Sequence, residues 1–390
     1  MFNVIVPLAG FGSRFLREGY VRPKPFIRAA GKEIIIWLLE NLLFESSDHL
    51  VFVFNRNPEL GMSPENFFII VEDFFSRKSS PPSVTYAALD KPTLGAAETV
   101  LRGIEVLPEE RMSLPSVLLD GDTFYSYDIL SEYRQYLKQH DTNLSSRGGL
   151  LFVFDDDKPN ESPYSYVRLR EASGKYLQIT NIAEKDKTGM DPFACSGCYC
   201  FNSSKYLKQS ITGALSSFRE VPGSQGKELY TSNIVSSQLR EGGVFDGFRL
   251  DAGAFTVLGT PAQLRAFVEQ VKIEHKRFCF DLDNTLVTAP RVAGDYNTCG
   301  PIKAMIDHVR RLHDEGHYII IHTARRMRTH SGNLGAVISD IGDVTIKQLK
   351  NFGIPFDELL FGKPHADFYV DDKAVVALVD SLSKETGFPC

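Results

Sequence analysis

Residues 278–280, Phe-Cys-Phe, form a short apolar run that ends in Asp281-Leu282-Asp283-Asn284-Thr285. On a strand, positions i and i+2 project the same way, so Asp281 and Asp283 share one face. Carboxylates that close repel, and a divalent cation is the usual remedy. Asp-x-Asp alone would equally suit a turn with helix-capping aspartates, but three later clusters decide against that. Residues 318–321 are apolar and precede His322-Thr323-Ala324-Arg325-Arg326; residues 359–361 precede Gly362-Lys363-Pro364; residues 368–370 precede Asp371-Asp372. With amphipathic helices in the gaps, the pattern is that of a doubly wound parallel sheet, whose strand ends meet along one edge. Asp281, Asp283, Thr323, Lys363, Asp371 and Asp372 are therefore expected to converge. Arg325, Arg326, Arg328 and His330 fit either anion contacts beside Thr323 or a solvated basic face.

A second set of reactive residue types opens the chain. Residues 2–6 are apolar and lead into Pro7-Leu8-Ala9-Gly10-Phe11-Gly12-Ser13-Arg14-Phe15. A glycine-rich loop after a first strand lets backbone amides approach phosphate. As a dinucleotide fingerprint the loop fails, because Phe15 stands where the third glycine belongs. The fixed cations Arg14 and Lys24, the latter in Arg22-Pro23-Lys24-Pro25-Phe26, suit a nucleoside triphosphate. Residues 116–119 form another apolar run, ending in Asp120-Gly121-Asp122. A carboxylate there, opposite Arg14 and Lys24, would set Mg²⁺ against the triphosphate.

The order Asp-x-Asp-x-Thr, Thr, Lys, Asp-Asp over residues 276–390 resembles the phosphatases of the haloacid dehalogenase superfamily. The resemblance implies that Asp281 is the nucleophile and Asp283 the general acid/base. Thr323 and Lys363 would hold phosphate oxygens, and Asp281, Asp283, Asp371 and Asp372 would bind Mg²⁺. The N-terminal part resembles the sugar-phosphate nucleotidyltransferases. There the resemblance implies that Leu8, Ala9, Gly10, Gly12, Gly95 and Asp120 surround the nucleotide. Arg14 would meet the pyrophosphate, Lys24 the α-phosphate and Asp122 the Mg²⁺. Glu184 and Lys185 would contact the sugar and its phosphate, and Gly197 would leave room for substrate. Many relatives carry a second metal aspartate where this chain has Val257, and Asp251 is the expected substitute.

The elements that must position these residues follow from length and periodicity. A chain of 390 residues favours two domains, with expected bounds 1–272 and 273–390. The first is expected as a mixed, Rossmann-like α/β sheet, the second as a capless doubly wound parallel sheet, since its motif spacings leave no room for a large cap. Helical spacing of apolar residues marks 33–44, 65–75, 262–271 and 301–313 as helices. Cys195, Cys198 and Cys200 read as buried thiols on a strand, because no second cysteine pair completes a zinc site. Asp155-Asp156-Asp157 reads as a solvated turn.

With 43% hydrophobic and 24% charged residues the composition is that of a soluble globular protein. A net charge of −6 without a basic block argues against a nucleic-acid partner. No run is long and apolar enough for a membrane span and no charged leader is present, so a cytoplasmic enzyme is expected. Together these readings describe a bifunctional enzyme that uses Mg²⁺ in both domains and for which a homo-oligomer is an open alternative to a monomer. It would transfer a nucleotidyl group from CTP, UTP or GTP to a sugar or polyol phosphate, and hydrolyse a phosphomonoester, in activated-sugar synthesis for a surface or capsule polysaccharide. The alternatives are a cytidylyltransferase for a phosphoalcohol such as phosphocholine, with a phosphatase of separate role, and a nucleotide-sugar sensor fused to a phosphatase.

Overall fold

The computed structural model describes residues 1–10, 12–20, 22–56, 64–140, 147–156, 163–170, 174–220, 228–271, 275–371, 373–375 and 384–386. Asp157, Asp372 and the expected boundary at 272 and 273 lie outside them. Two compact units form, Met1–Ile27 with Lys32–Leu264, and Arg28–Gly31 with Arg265–Cys390. No helix among the described residues is long and apolar enough to cross a membrane.

From the N-terminus run β1 (Asn3–Leu8), α1 (Ser13–Arg17), the two-residue strands β2 (Arg28–Ala29) and β3 (Lys32–Glu33), α2 (Ile34–Glu40), β4 (His49–Asn55), α3 (Pro64–Ser76) and β5 (Ser83–Leu89). Next come α4 (Ala96–Glu105), β6 (Ser116–Leu119), β7 (Thr123–Tyr125), α5 (Ile129–His140), β8 (Gly148–Asp155), β9 (Ser165–Leu169), β10 (Tyr176–Glu184) and β11 (Phe193–Phe201). After α6 (Ser204–Glu220), α7 (Thr231–Arg240), β12 (Val244–Arg249), β13 (Phe255–Val257) and α8 (Pro261–Gln270) follow β14 (Arg277–Phe280), α9 (Lys303–Asp314), β15 (Tyr318–Thr323), α10 (Leu334–Phe352) and β16 (Glu358–Phe361).

The large sheet of the first unit has nine strands among the described residues, in the order β5-β4-β1-β6-β11-β8-β12-β10-β9. Its first four strands are parallel, and β11 then runs antiparallel to β6. Val4, Ile5 and Val6 on β1 and Leu50 to Val53 on β4 are fully buried. Such near-continuous apolar runs are what a sheet covered on both faces requires. Chain order moves from β1 to β4 and β5 on one side, then returns to β6 on the other. The carboxyl ends of β1 and β6 therefore flank a topological switch point, where a crevice opens. The glycine loop follows β1, and Asp120 to Asp122 follow β6.

The second unit holds a parallel sheet in the order β14-β15-β16. Ile319, Ile321 and Thr323 alternate inward on β15, packing with Phe280, Leu282 and the inner face of α9. The expected fourth strand at 368–370 is not formed: Phe368 is 87% and Val370 98% exposed. Sequential order with right-handed crossovers keeps both connecting helices on one face. The described sheet is thus singly wound, and the strand-order reversal expected from the sequence is not among the described residues. A strand holds its shape by pairing, and the apolar character of 368–370 supplies no partner by itself.

α9 buries Met305, Ile306, Val309 and Leu312, as its periodicity demands, and also His308, which is 1% exposed. Burial, with a smaller push from Arg311, lowers the His308 pKa to about 4. The unfolded chain binds the proton first, near pH 6.5, so the folded state loses stability as pH falls from there to about 4. We expect the second unit to lose on the order of 2 kcal/mol over that window. Chemical denaturation of the His308→Gln variant, followed across pH, should show a flatter dependence than the parent.

Candidate active sites

In the first unit, Gly12 adopts a left-handed conformation (φ 61°) that caps α1 and turns the loop back toward Lys24. A side chain at Gly12 would put its Cβ 3.2 Å from Lys24 Cβ. Lys24 Nζ donates to Asp122 Oδ2, each side chain being 24% exposed. The ammonium from the β1 loop thus sits on the carboxylate from the β6 end. Gly259 lies against Asp122, its Cβ position 3.0 Å from Oδ2. Gly10 is exposed with open space beside it, and Leu8 packs against Gly121. Arg14 is exposed on α1 and makes no ion pair among the described residues.

Asp120 is exposed to water at the end of β6. Desolvation and the charge of Asp122 push its pKa up to about 7, against the pull of Lys24, and Glu184 adds to the rise. Access to water blunts the desolvation share, while a bound cation would oppose the whole shift. Gly197, at φ 94°, lies in the irregular stretch of the β11–β8 ladder and accepts a hydrogen bond from the Asp120 amide at 2.9 Å. A Cβ there would stand 2.6 Å from Asp120 Oδ2. Glycine at 197 therefore makes room for Asp120.

Glu184 accepts from Ser165 Oγ and, at 2.7 Å, from Ser232 Oγ. Lys185 follows in a left-handed conformation (φ 52°), with Nζ 3.8 Å from Glu184 Oε1. Gly95 caps α4, and its Cβ position falls 2.7 Å from both the N and O of Leu229. Asp251 is not brought to Asp122. Val257 pairs with Thr123 beside Asp122, while Ala254 accepts from the Ser126 amide at the opposite end of the β13–β7 ladder, and Asp251 precedes it. Three strand positions span about 10 Å. Asp156 also departs from expectation: it is 7% exposed, accepting from Tyr166 at 2.7 Å and pairing with Lys187 at 2.8 Å. Cys195, Cys198 and Cys200 are buried free thiols, as expected, and burial raises the pKa of Cys195 and Cys198.

In the second unit, Asp281, Thr323 and Lys363 follow or end the three parallel strands at one edge. Lys363 Nζ lies 3.2 Å from Asp281 Oδ1, and its amide donates to the Thr323 carbonyl at 3.2 Å. Asn284 takes a left-handed turn (φ 61°) that carries the chain away after Asp283. His322 is held below its usual pKa by burial and by Lys363, with Asp281 opposing. Asp371 is exposed and accepts from the Lys373 amide at 2.7 Å.

Arg325 meets neither expectation for it, the anion contact or the solvated face. Its side chain is wholly buried, with Nη2 2.8 Å from Asp283 Oδ1 and Nε 3.0 Å from Oδ2. Nη1 donates to Thr345 Oγ1 at 3.2 Å and Nη2 to Gln348 Oε1 at 2.7 Å, and the guanidinium lies over the Tyr296 ring. It is neither a solvated cation nor an anion contact but a clamp on Asp283. The signal was present in α10, where Thr345 and Gln348 interrupt a buried stripe of Val337, Ile341 and Leu349. Arg326 and His330 instead tie to Asp340.

Among the described residues, no three of His, Cys, Asp and Glu gather as a metal cage. Mg²⁺ needs only one or two carboxylates when substrate phosphates and water complete its shell, and Asp122 with Asp120 fits that need. Asp281 and Asp283 are paired to Lys363 and Arg325, as Asp122 is to Lys24, so in both units a bound cation would share its carboxylates with a basic side chain.

Two outcomes follow from these contacts. Arg325→Met should destabilise the second unit by roughly 3 kcal/mol by stranding Asp283, and adding Asp283→Leu should restore part of that loss in denaturant titrations. Gly197→Ala should lower turnover in the first unit by displacing Asp120 while leaving the melting transition of the second unit unchanged.

No protein-family model matches the chain. It is 22% identical over 285 residues to a Methanocaldococcus jannaschii protein named "Putative UTP--glucose-1-phosphate uridylyltransferase", covering 68% of this chain and 92% of that one. It is 26% identical over 257 residues to mannose-1-phosphate guanylyltransferase 1 of Arabidopsis thaliana, covering 64% of this chain and 61% of that one. Among solved structures, a nucleoside-diphosphate-sugar pyrophosphorylase from Vibrio cholerae RC9 superposes with a TM-score of 0.53 at 21% identity, covering 68% of this chain and 100% of that one. A UDP-glucose pyrophosphorylase complexed with UDP-glucose gives 0.53 at 16% identity, covering 69% and 97%. The N-terminal 68% of the chain has the sugar-phosphate nucleotidyltransferase fold.

Proposed function

We propose that the first unit transfers a nucleotidyl group from UTP, GTP or CTP to a sugar 1-phosphate, releasing pyrophosphate. The observation that carries this is the Lys24–Asp122 pair beside Asp120 at the switch point. A phosphate oxygen of the acceptor attacks the α-phosphorus of the triphosphate, and the bond to the pyrophosphate oxygen breaks. Lys24 would neutralise the α-phosphate as charge spreads over it, and exposed Arg14 would meet the departing pyrophosphate. Mg²⁺ held by Asp122, with Asp120 beside it, would add positive charge along the phosphates. Lys185 would bind the acceptor phosphate, and Glu184 the sugar. The two curated relatives are named for a hexose 1-phosphate but for different bases, so we carry over the acceptor class and leave the base to measurement.

For the second unit, the pairing of Asp281 with Lys363 beside Thr323 favours a phosphomonoesterase with an aspartate nucleophile. Lys363 and Thr323 would hold the phosphate oxygens while Asp281 attacks phosphorus and the alcohol departs. Asp283, aimed by Arg325, would give its proton to the departing alcohol and then take one from the water that breaks the phosphorus–Asp281 bond and frees phosphate. A role in making an activated sugar for a surface polysaccharide would join the two reactions, provided the phosphatase spares its neighbour's substrate.

A matrix of four nucleoside triphosphates against a panel of sugar and polyol phosphates, read by pyrophosphate release, tests the first reading. Activity should appear with a single base and survive Asp281→Asn, which should abolish phosphate release from a phosphomonoester. Pyrophosphate from no pair would remove the transferase reading.

A further inference from the structure

The segment Glu228–Ser232 touches both halves of the proposed transferase site. Its backbone meets the loop before α4: the Leu229 amide donates to the Leu94 carbonyl at 2.7 Å, and the Ala97 amide donates to the Leu229 carbonyl at 3.0 Å. The approach is so close that a Cβ at Gly95, where φ is 129°, would collide with Leu229 N and O, both at 2.7 Å. Its side chains meet the other half. Lys185 Nζ donates to Tyr230 Oη at 2.7 Å and lies 4.2 Å from the centre of that ring. Tyr230 Oη in turn donates to Glu228 Oε2 at 2.5 Å, and Ser232 Oγ holds Glu184 at 2.7 Å.

The segment is anchored at its centre as well. Leu229 is buried, and Asn233 closes the start of α7 by accepting from the Tyr230 amide at 2.9 Å and donating its own amide to the Tyr230 carbonyl at 3.1 Å. Leu229 and Tyr230 are adjacent, so a shift that re-aims Tyr230 also moves the peptide bonded to the Leu94–Ala97 loop. Lys185 is held in a backbone conformation unfavourable for its residue type (φ 52°). Its orientation therefore depends on the partners that hold it, and Tyr230 contributes both a hydrogen bond and an aromatic face.

We propose that Glu228–Ser232 is a strap coupling the acceptor-phosphate pair Glu184–Lys185 to the nucleotide-side loop at Gly95, with Tyr230 as the positioning residue that aims Lys185. The proposal rests on the transferase reading for the identity of the two ligands. When an acceptor phosphate engages Lys185, the ammonium's bond to Tyr230 Oη is weakened or redirected, and the peptide at Leu229 transmits the change to the loop that follows Leu94.

Hydrogen exchange tests the strap without turnover. Glucose 1-phosphate added alone to the full chain should slow exchange in the peptide spanning 94–97 as well as in the one spanning 184–185. In Tyr230→Phe, which keeps the ring and loses the hydroxyl, the effect at 94–97 should vanish. The KM for sugar phosphate should then rise about tenfold, the scale of one hydrogen bond to a charged group, with the KM for the triphosphate unchanged. Gly95→Ala should raise both KM values and should not add to Tyr230→Phe in the double variant. Protection confined to 184–185, or equal at 94–97 in both proteins, overturns the strap. A parent protein that shows the protection but releases no pyrophosphate would overturn the transferase reading and leave the strap standing. Absence of any effect from a sugar phosphate that does support pyrophosphate release would sink the strap and leave the transferase reading standing.

Discussion

The first unit depends on an electrostatic constraint at the end of β6. Two carboxylates separated by one glycine at a strand end repel unless positive charge stands nearby, and the chain supplies it from a different strand. Lys24, carried on the loop after β1, lands on Asp122. Three glycines make the meeting sterically possible: Gly12 beside Lys24, Gly197 beneath Asp120 and Gly259 against Asp122. The parallel order of β4, β1 and β6 brings the two loops to a common edge. Fold, loop composition and charge balance therefore converge on one place, where a triphosphate would find a lysine, a carboxylate pair and open space.

The second unit solves the same problem differently. Asp281 meets Lys363 near the surface, where water screens the pair, but Asp283 is gripped by a guanidinium without solvent exposure. Arg325 is satisfied by Asp283, Thr345 and Gln348 and stacked on Tyr296. Such a clamp fixes direction more than it adds stability, because desolvating the charges offsets most of their attraction. It links the β14 turn, the β15 end and α10, and so ties the orientation of the acidic motif to the packing of the unit's longest described helix.

Much of this was legible in the sequence, and the reasons for success and failure are physical. Short apolar runs followed by polar clusters located β1, β6, β14, β15 and β16, because burial and strand alternation leave a direct mark on composition. The edge position of Asp122, Lys24, Asp281 and Lys363 followed from topology. What failed were inferences about partners. Val370 and Phe368 are apolar enough for a strand, yet pairing depends on a neighbour that the sequence does not name. Asp251 is near Val257 in sequence, but the antiparallel ladder carries it to the opposite end. Asp156 sits in an acidic run that looks solvated, and only the fold delivers Tyr166 and Lys187 to it. Gly197 is expected to leave room for substrate, and the fold sets Asp120 against it.

The most direct test of the central claim is the stoichiometry of the reaction and its dependence on Lys24. With the productive triphosphate and sugar phosphate, the account predicts pyrophosphate and nucleoside-diphosphate sugar in equal amounts. It also predicts a drop of roughly a hundredfold or more in kcat for Lys24→Met, on the scale of removing one preorganised charge from a transition state. Release of inorganic phosphate and a nucleoside diphosphate instead, or full activity in Lys24→Met, would contradict it.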